Sequence, residues 1–300
     1  MNRLLLCLSL VAAVLSLPPG IEGDARMMLL PRLKAGQTLH YEIRGKLQRH
    51  LKTESRVSTM LHTPDLHQDF TIKLLLSVRE VRKANGRLMV AARVDLQSEG
   101  ENASSDVATA TPKVEFTING DGQLANVEGL DNLDSEQLLA WQFWIARFAY
   151  GWTLPESGVR PGSKWKSDEI EKTPSPIANL VWERENTYAE DNRCPVIRGE
   201  TCAGFLTHAT LKQKSSPKDA TPEDYRLHEL KTTGAAEGTN ETFTYVSLKT
   251  GLVLRATEEV KQSMEVTILK ADATNGVHYD VEASSHLELL FIPATAGGSR

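Results

Sequence analysis

The chain has 300 residues, 34 basic and 39 acidic side chains, and a formal charge of -5. A mildly acidic balance with short, mixed charged blocks argues against nucleic acid as a partner, because that role needs a concentrated basic footprint. Once a leader is removed, about 275 residues remain, enough for one large β domain or two smaller ones.

The amino terminus reads as a secretory signal, residues 1–23. Arg3 is followed by an uncharged run from Leu4 to Leu17, which Pro18, Pro19 and Gly20 end. A short positive start before such a run is the layout of a leader, and a membrane-crossing helix would need about 20 apolar residues. Cleavage is expected to leave a mature start between Ile21 and Arg26. Cys7 lies inside the apolar run, so it is not a lipoprotein cysteine. No other long apolar run follows. The expected location is therefore periplasmic or extracellular, with no transmembrane span in the mature chain.

Beyond the leader, a period of two dominates. Leu39, Tyr41, Ile43 and Leu47 alternate with His40, Glu42, Arg44 and Lys46. The same pattern recurs in Phe70–Val78, Leu88–Leu96 and Val114–Ile118. Side chains alternate across a strand, so each run has one apolar and one wet face. A parallel sheet covered on both sides would give continuous apolar runs instead. Asn85-Gly86 and Asn119-Gly120-Asp121-Gly122 supply tight hairpin turns between the runs. The second lacks the oxygen ligands and closing Glu of a calcium loop.

One helix is predicted over residues 134–150. Asp134 with Gln137 forms a capping box, and Leu138, Trp141, Ile145, Phe148 and Trp152 fall at helical spacing. Phe143 and Trp144 widen the apolar surface, while Gln142 and Arg147 stay polar. A membrane-surface helix would carry a face rich in Lys and Arg, so the helix is assigned to the apolar face of the sheet, with Trp141, Ile145 and Phe148 buried.

The chain then returns to β structure. Strands are predicted at Lys164–Ile170, Ala178–Glu190, Phe205–Lys212, Tyr225–Thr233, Phe243–Leu248, Leu252–Val260, Met264–Leu269, Val277–Ala283 and His286–Ile292. Ser215–Glu223 reads as a loop, and Lys249-Thr250-Gly251 and Thr274-Asn275-Gly276 read as turns. Cys194 and Cys202 are an even pair in an oxidising compartment, and Gly199 lets the segment between them turn. They are expected to form a disulfide, since the spacing is not that of a redox C-x-x-C pair.

The fold class that follows is mainly β: an antiparallel curved sheet or open barrel with one amphipathic helix on its apolar face. Gly36-Gln37-Thr38-Leu39 and Gly162-Ser163-Lys164-Trp165 open two β runs alike, which suggests two related halves. The division is residues 24–155 for the first half with its helix, 156–293 for the second, and 294–300 for a flexible tail.

No catalytic motif is present: no G-x-S-x-G, no H-E-x-x-H, no P-loop, and no G-x-G-x-x-G after a strand. The eight histidines are scattered. His62 and His67 are the closest pair and flank Pro64-Asp65 in an expected loop, so no metal site is assigned. Asn102 and Asn240 begin N-x-S/T triplets, which read as ordinary polar loops. No catalytic residue, ligand-binding residue or cofactor is named.

The segments Gly36–Ile43, Phe116–Leu124 with the helix after it, and Pro161–Trp165 resemble uncharacterised exported β proteins of environmental bacteria. The plan of one helix on a curved sheet is also similar to that of periplasmic lipoprotein carriers. That resemblance implies a concave face able to hold acyl chains, and it carries over no residue as a site. The expected function is an exported binding protein for a hydrophobic or lipid-like molecule, held in a cavity on the concave apolar face near the helix. The alternatives are an envelope protein-interaction module and a hydrolase whose site assembles only in space.

Overall fold

The computed structural model describes residues 29–55, 58–62, 65–84, 87–99, 111–171, 175–270 and 276–293. The predicted leader, residues 1–23, and the predicted tail, 294–300, lie outside them. So do Asn85-Gly86, Asn102 and Thr274-Asn275.

The strands are β1 (Thr38–Ser55), β2 (Ser58–His62), β3 (Leu66–Ala84), β4 (Arg87–Glu99), β5 (Lys113–Ile118) and β6 (Leu124–Glu128), then β7 (Lys164–Ile170), β8 (Leu180–Arg193), β9 (Thr201–Gln213), β10 (Leu230–Ser247), β11 (Val253–Lys270) and β12 (Val277–Ile292). Eleven of them form one unclosed, curved antiparallel sheet in the order β6-β5-β4-β3-β1-β12-β11-β10-β9-β8-β7, and the short β2 pairs with β1. The chain steps outward from β1 to one edge and crosses to the opposite edge. It then steps back until β12 pairs with β1, from His40↔Ile292 to Ser55↔Val277. Residues 24–155 and 156–293 thus contribute to one continuous sheet. The crossing segment holds helix α1 (Ser135–Phe148). A link between the two free edges must pass over a face of the sheet, which is how the helix comes to lie on the apolar side.

The helix starts where its cap dictates. Gln137 N donates to Asp134 Oδ1 at 2.8 Å, and Asp134 N donates to Gln137 Oε1 at 3.1 Å. A cap of this kind contributes about 1 kcal/mol. Trp141, Ile145 and Phe148 are buried, and Trp144 is fully enclosed. Trp144 stacks on Phe148 with ring centres 5.0 Å apart and meets Phe116 and Tyr41 edge-on. Under these rings lie Ile43, Ile72, Leu74, Val94 and Ile118, all buried. Gly45 makes room for this packing: a Cβ there would fall 2.1 Å from the Phe70 ring, its cross-strand neighbour.

Four sequence expectations are corrected. Arg147 does not stay on a wet face; it is buried, and its partner is described below. His62 and His67 lie in strands and not in the expected loop between them, His62 ending β2 and His67 near the start of β3; Pro64 lies outside the described residues. Tyr225 lies in a short helix, α2 (Glu223–Leu227), and not in a strand. Last, the predicted pairs of short strands in the second half are single long ones: β10, β11 and β12 run unbroken through residues 234–242, 261–263 and 284–285. These stretches are polar or small on both faces, so they carry no alternation to read.

The turns at 119–122 and 249–251 form as expected, Gly122 and Gly251 taking positive φ. On either side of Asn85-Gly86, Ala84 and Arg87 pair. Cys194 and Cys202 are bonded, with Cα atoms 5.0 Å apart, joining the end of β8 to the start of β9.

Candidate functional site

The sheet's register places inward-facing residues in rows that cross the strands. One row runs Leu287, Glu258, Thr242, Thr207, Asn186 through β12, β11, β10, β9 and β8. The next toward the far end includes Asn240, Arg184 and Ser167. The third is Arg49, Ala283, Gln262, Gly238, Leu211, Trp182, and the fourth Leu51, Val281, Met264, Ala236.

The first two rows are polar and interlocked. Arg147 reaches down from α1 to an ion pair with Glu258, both side chains being nearly buried at 7% and 12% exposure. Arg147 also donates to Thr242 Oγ1 at 3.2 Å. Asn240 Nδ2 and Thr242 Oγ1 donate to Glu258 Oε2 at 3.1 and 3.2 Å. Farther along, Thr207 Oγ1 donates to Asn186 Oδ1 at 2.8 Å, and Asn186 Nδ2 donates to Ser167 Oγ at 3.1 Å. Arg184 is paired with Glu169. Buried polar groups are costly unless bonded, and here they bond to each other. Burial pushes the Tyr150 hydroxyl to a higher pKa, against the opposing pull of Arg147. Thr207 lies beside that hydroxyl, but the geometry falls short of a hydrogen bond. This polar band closes the floor of the aromatic core.

Beyond the band the concave face changes character. A cavity of about 130 Å³ is lined by Pro176, Leu180, Leu211, Ala236, Met264 and Val281, with Glu171 and Gln262 at its margin. A second core cluster, built on Ile177, Leu180, Trp182, Leu211 and Val266, backs it. Trp182 donates its indole N–H to Glu171 Oε2 at 2.7 Å and lies over Gly238, where a Cβ would sit 3.1 Å from the ring. The cavity's walls are half-covered: Ala236, Met264, Val281 and Ala283 all retain partial exposure. Among the described residues no long helix lies over this end as α1 does over the other.

An open groove of about 750 Å³ is lined mostly from the opposite face, by Gln48, His50, Asp65, His67, Lys261 and Glu282, and reaches Arg49 and Gly238 of the third row. Its walls carry both signs of charge, and His50 is bonded to Asp65. Among the described residues no group of three or more His, Cys, Asp or Glu side chains could hold a metal ion. Gln262, Ser263 and Ala283 border both spaces.

The structure relocates other candidates as well. Asn240 is not in a polar loop; it is a buried mid-strand residue bonded to Glu258, which hides it from a glycosylating enzyme in the folded chain. Cys194 and Cys202 pack into the helix-side core, away from the cavity. The cavity expected near the helix is corrected: the rings of α1 fill that end, and the cavity lies at the other. The polar band went unread in the sequence. The signal was available in residues 234–242, where small and polar residues persist at every inward position.

No protein-family model matches the chain, and no curated protein does. A similar solved structure is an outer membrane channel from Pseudomonas putida F1, at 9% identity and a TM-score of 0.20, covering 92% of this chain and all of that one. A score that low establishes no shared fold.

Proposed function

We propose that this protein binds a hydrophobic, lipid-like molecule at the open end of its concave sheet, and that it does so as an exported protein. The observation that carries the reading is the division of one face into two ends. Aromatic residues of α1 fill one end, and a polar band seals it. The other end has apolar walls, a cavity, and half-exposed side chains in the inward rows.

Size sharpens the proposal. An apolar cavity of about 150 Å³ accepts a benzene-sized guest, so about 130 Å³ holds only part of a lipid. At about 25 cal/mol per Å², micromolar binding at about -8.2 kcal/mol needs about 330 Å² of buried apolar surface. The ligand must therefore extend from the cavity along the rows of Ala236, Met264, Val281 and Ala283. Covering those side chains removes apolar surface from water, which is the driving force.

The test is native mass spectrometry of gently purified protein, followed by titration of delipidated material with fatty acids while Trp182 emission is recorded. Wild type should retain or rebind lipid, with a negative heat-capacity change. Ala236→Phe should fill the cavity and abolish binding while leaving the unfolding transition in place. Lipid-free protein that ignores fatty acids would refute the reading. Co-purified protein or stable oligomers in its place would favour the interaction module, for which the free edges of β6 and β7 are available.

A further inference from the structure

The open end of the concave face carries an unmatched charge among the described residues. Ionised groups near it have partners: Arg184 with Glu169, and Glu171 with the Trp182 indole. The Arg49 side chain makes no ion pair or hydrogen bond among the described residues, and it is exposed. β1 pairs with β12 without a break in register, so strand alternation puts Arg49 on the same face as Ile43 and Leu47. Its direct cross-strand neighbour is Ala283, and the next residue along that row is Gln262. Two strand spacings separate Arg49 from Gln262, about 10 Å. The methyl group of Ala283 between them leaves a notch flanked by a guanidinium and a carboxamide. The Gln262 side chain likewise makes no hydrogen bond among the described residues, and it borders the apolar cavity.

We infer that the ligand is a single-chain anionic amphiphile, its carboxylate held between Arg49 and Gln262 and its chain running over Val281 and Met264 into the cavity at Ala236 and Leu211. The inference rests on the hydrophobic-ligand reading above and adds the headgroup chemistry. A guanidinium presents paired N–H donors that match the two oxygens of a carboxylate, and such charge-assisted bonds are about twice as strong as neutral ones. The Gln262 amide adds a neutral donor to the same oxygens. A cationic head would meet Arg49 with like charge. A neutral head would leave Arg49 solvated and contribute little.

The geometry also limits chain number. From Ala283 to Ala236 the path crosses β12, β11 and β10, about 10 Å at about 4.8 Å per strand. It ends in a cavity with room for about four water volumes, at about 30 Å³ each. One acyl chain fits that path, and a two-chain phospholipid would leave its second chain outside.

The experiment is calorimetric titration of full-length protein with decanoate and with decanol, which share a chain and differ in the head. Wild type should bind both, decanoate more tightly and with a salt-dependent affinity. Arg49→Gln should weaken decanoate about tenfold or more, the size expected for one charged hydrogen-bonding group, and leave decanol within about twofold. Arg49→Lys should recover part of the loss. Arg49 is exposed, so folding should not suffer, and an unchanged urea midpoint checks this. If Arg49→Gln leaves decanoate unchanged or weakens both probes equally, the anionic-head assignment is overturned while the hydrophobic-ligand reading stands. If wild type binds neither probe, both are overturned.

Discussion

The ion pair between Arg147 and Glu258 offers the sharpest test of the polar band. Replacing Arg147 by Met keeps an unbranched stem against Phe143, whose ring centre lies 5.2 Å from the guanidinium carbon. The change removes the cation and leaves the Glu258 carboxylate buried. Breaking a buried pair in this way costs about 3–5 kcal/mol. Asn240 and Thr242 still donate to the stranded oxygen at 3.1 and 3.2 Å, and hydrogen bonds to a charge stabilise it by about 1.5–3 kcal/mol each. That support places the cost at the lower end, about 3 kcal/mol. The cation–π contact adds about 0.5–1 kcal/mol. The double variant Arg147→Met/Glu258→Leu removes both charges and leaves Thr242 bonded to Asn240 at 2.9 Å. It should recover to within about 1 kcal/mol of wild type, because replacing a buried ion pair by apolar side chains is often neutral. Urea unfolding followed by tryptophan fluorescence measures wild type, both single variants (Arg147→Met and Glu258→Leu) and the double variant, since Trp141 and Trp144 sit on the same helix. A single-variant cost under about 1 kcal/mol, the size of an exposed ion pair, would show that the pair is wet. A double variant as unstable as the sum of the two singles would show that the two residues do not act together.

Two further predictions concern the helix-side core. Phe148→Ala removes a ring stacked on Trp144 at 5.0 Å and should cost about 3–5 kcal/mol in the same urea assay; a cost below about 1 kcal/mol, the level of surface changes, would place that face outside the core. Burial raises the pKa of Tyr41, whose hydroxyl has no partner among the described residues, and of Tyr150. Stability should therefore be full below about pH 10, where both states hold the phenolic protons, and should fall as pH rises above it, because only the unfolded chain readily releases them; the slope is up to about 1.4 kcal/mol per pH unit for each. Alkaline titration with absorbance at the phenolate band should show these tyrosines ionising together with unfolding, and their ionisation in a chain that is still folded would contradict the burial.

Legibility tracked how one-sided each segment is. Phe70–Val78 and Leu88–Leu96 alternate cleanly because their inward residues meet α1 while their outward residues meet water, so strand, face and partner could be read together. The helix was readable for a similar reason: Asp134 and Gln137 mark its start, and its apolar surface is wide. Arg147 was misread because a charge at the end of an apolar surface looks solvated until a partner is known. That partner, Glu258, is 111 positions away, and its inward direction follows only from the register of β10, β11 and β12. Asn240 and Thr242 were invisible as band members for the same reason. No local pattern separates a polar residue facing a polar interior from one facing water.

The two ends of the sheet follow from a length mismatch. The 14 residues of α1 span about 21 Å at about 1.5 Å per residue. The 18-residue strands β1, β10 and β11 extend about 59 Å at about 3.3 Å per residue. Whatever its direction across the sheet, the helix covers only part of such strands, and a fully apolar inner face would leave the rest exposed to water. The chain avoids this by changing inward chemistry along each strand. On β11 the inward sequence runs Leu254, Ala256, Glu258, Val260, Gln262, Met264: apolar under the helix, charged at the band, then mixed at the open end. On β10 it runs Val246, Thr244, Thr242, Asn240, Gly238, Ala236, polar at the same level and small beyond it. Gly238 makes room for the Trp182 ring, but Ala236 and Ala283 keep partial exposure, and no helix of the described chain lies over them as α1 lies over the other end. They widen the surface on which a narrow guest can rest, and Arg49 is the charge left at its border. A sheet built only for stability would place large apolar or paired side chains at Ala236 and Ala283. Filling either position with Phe should therefore leave stability unchanged or raise it while binding is lost, and a loss of stability at both would mean that the space is needed by the fold itself.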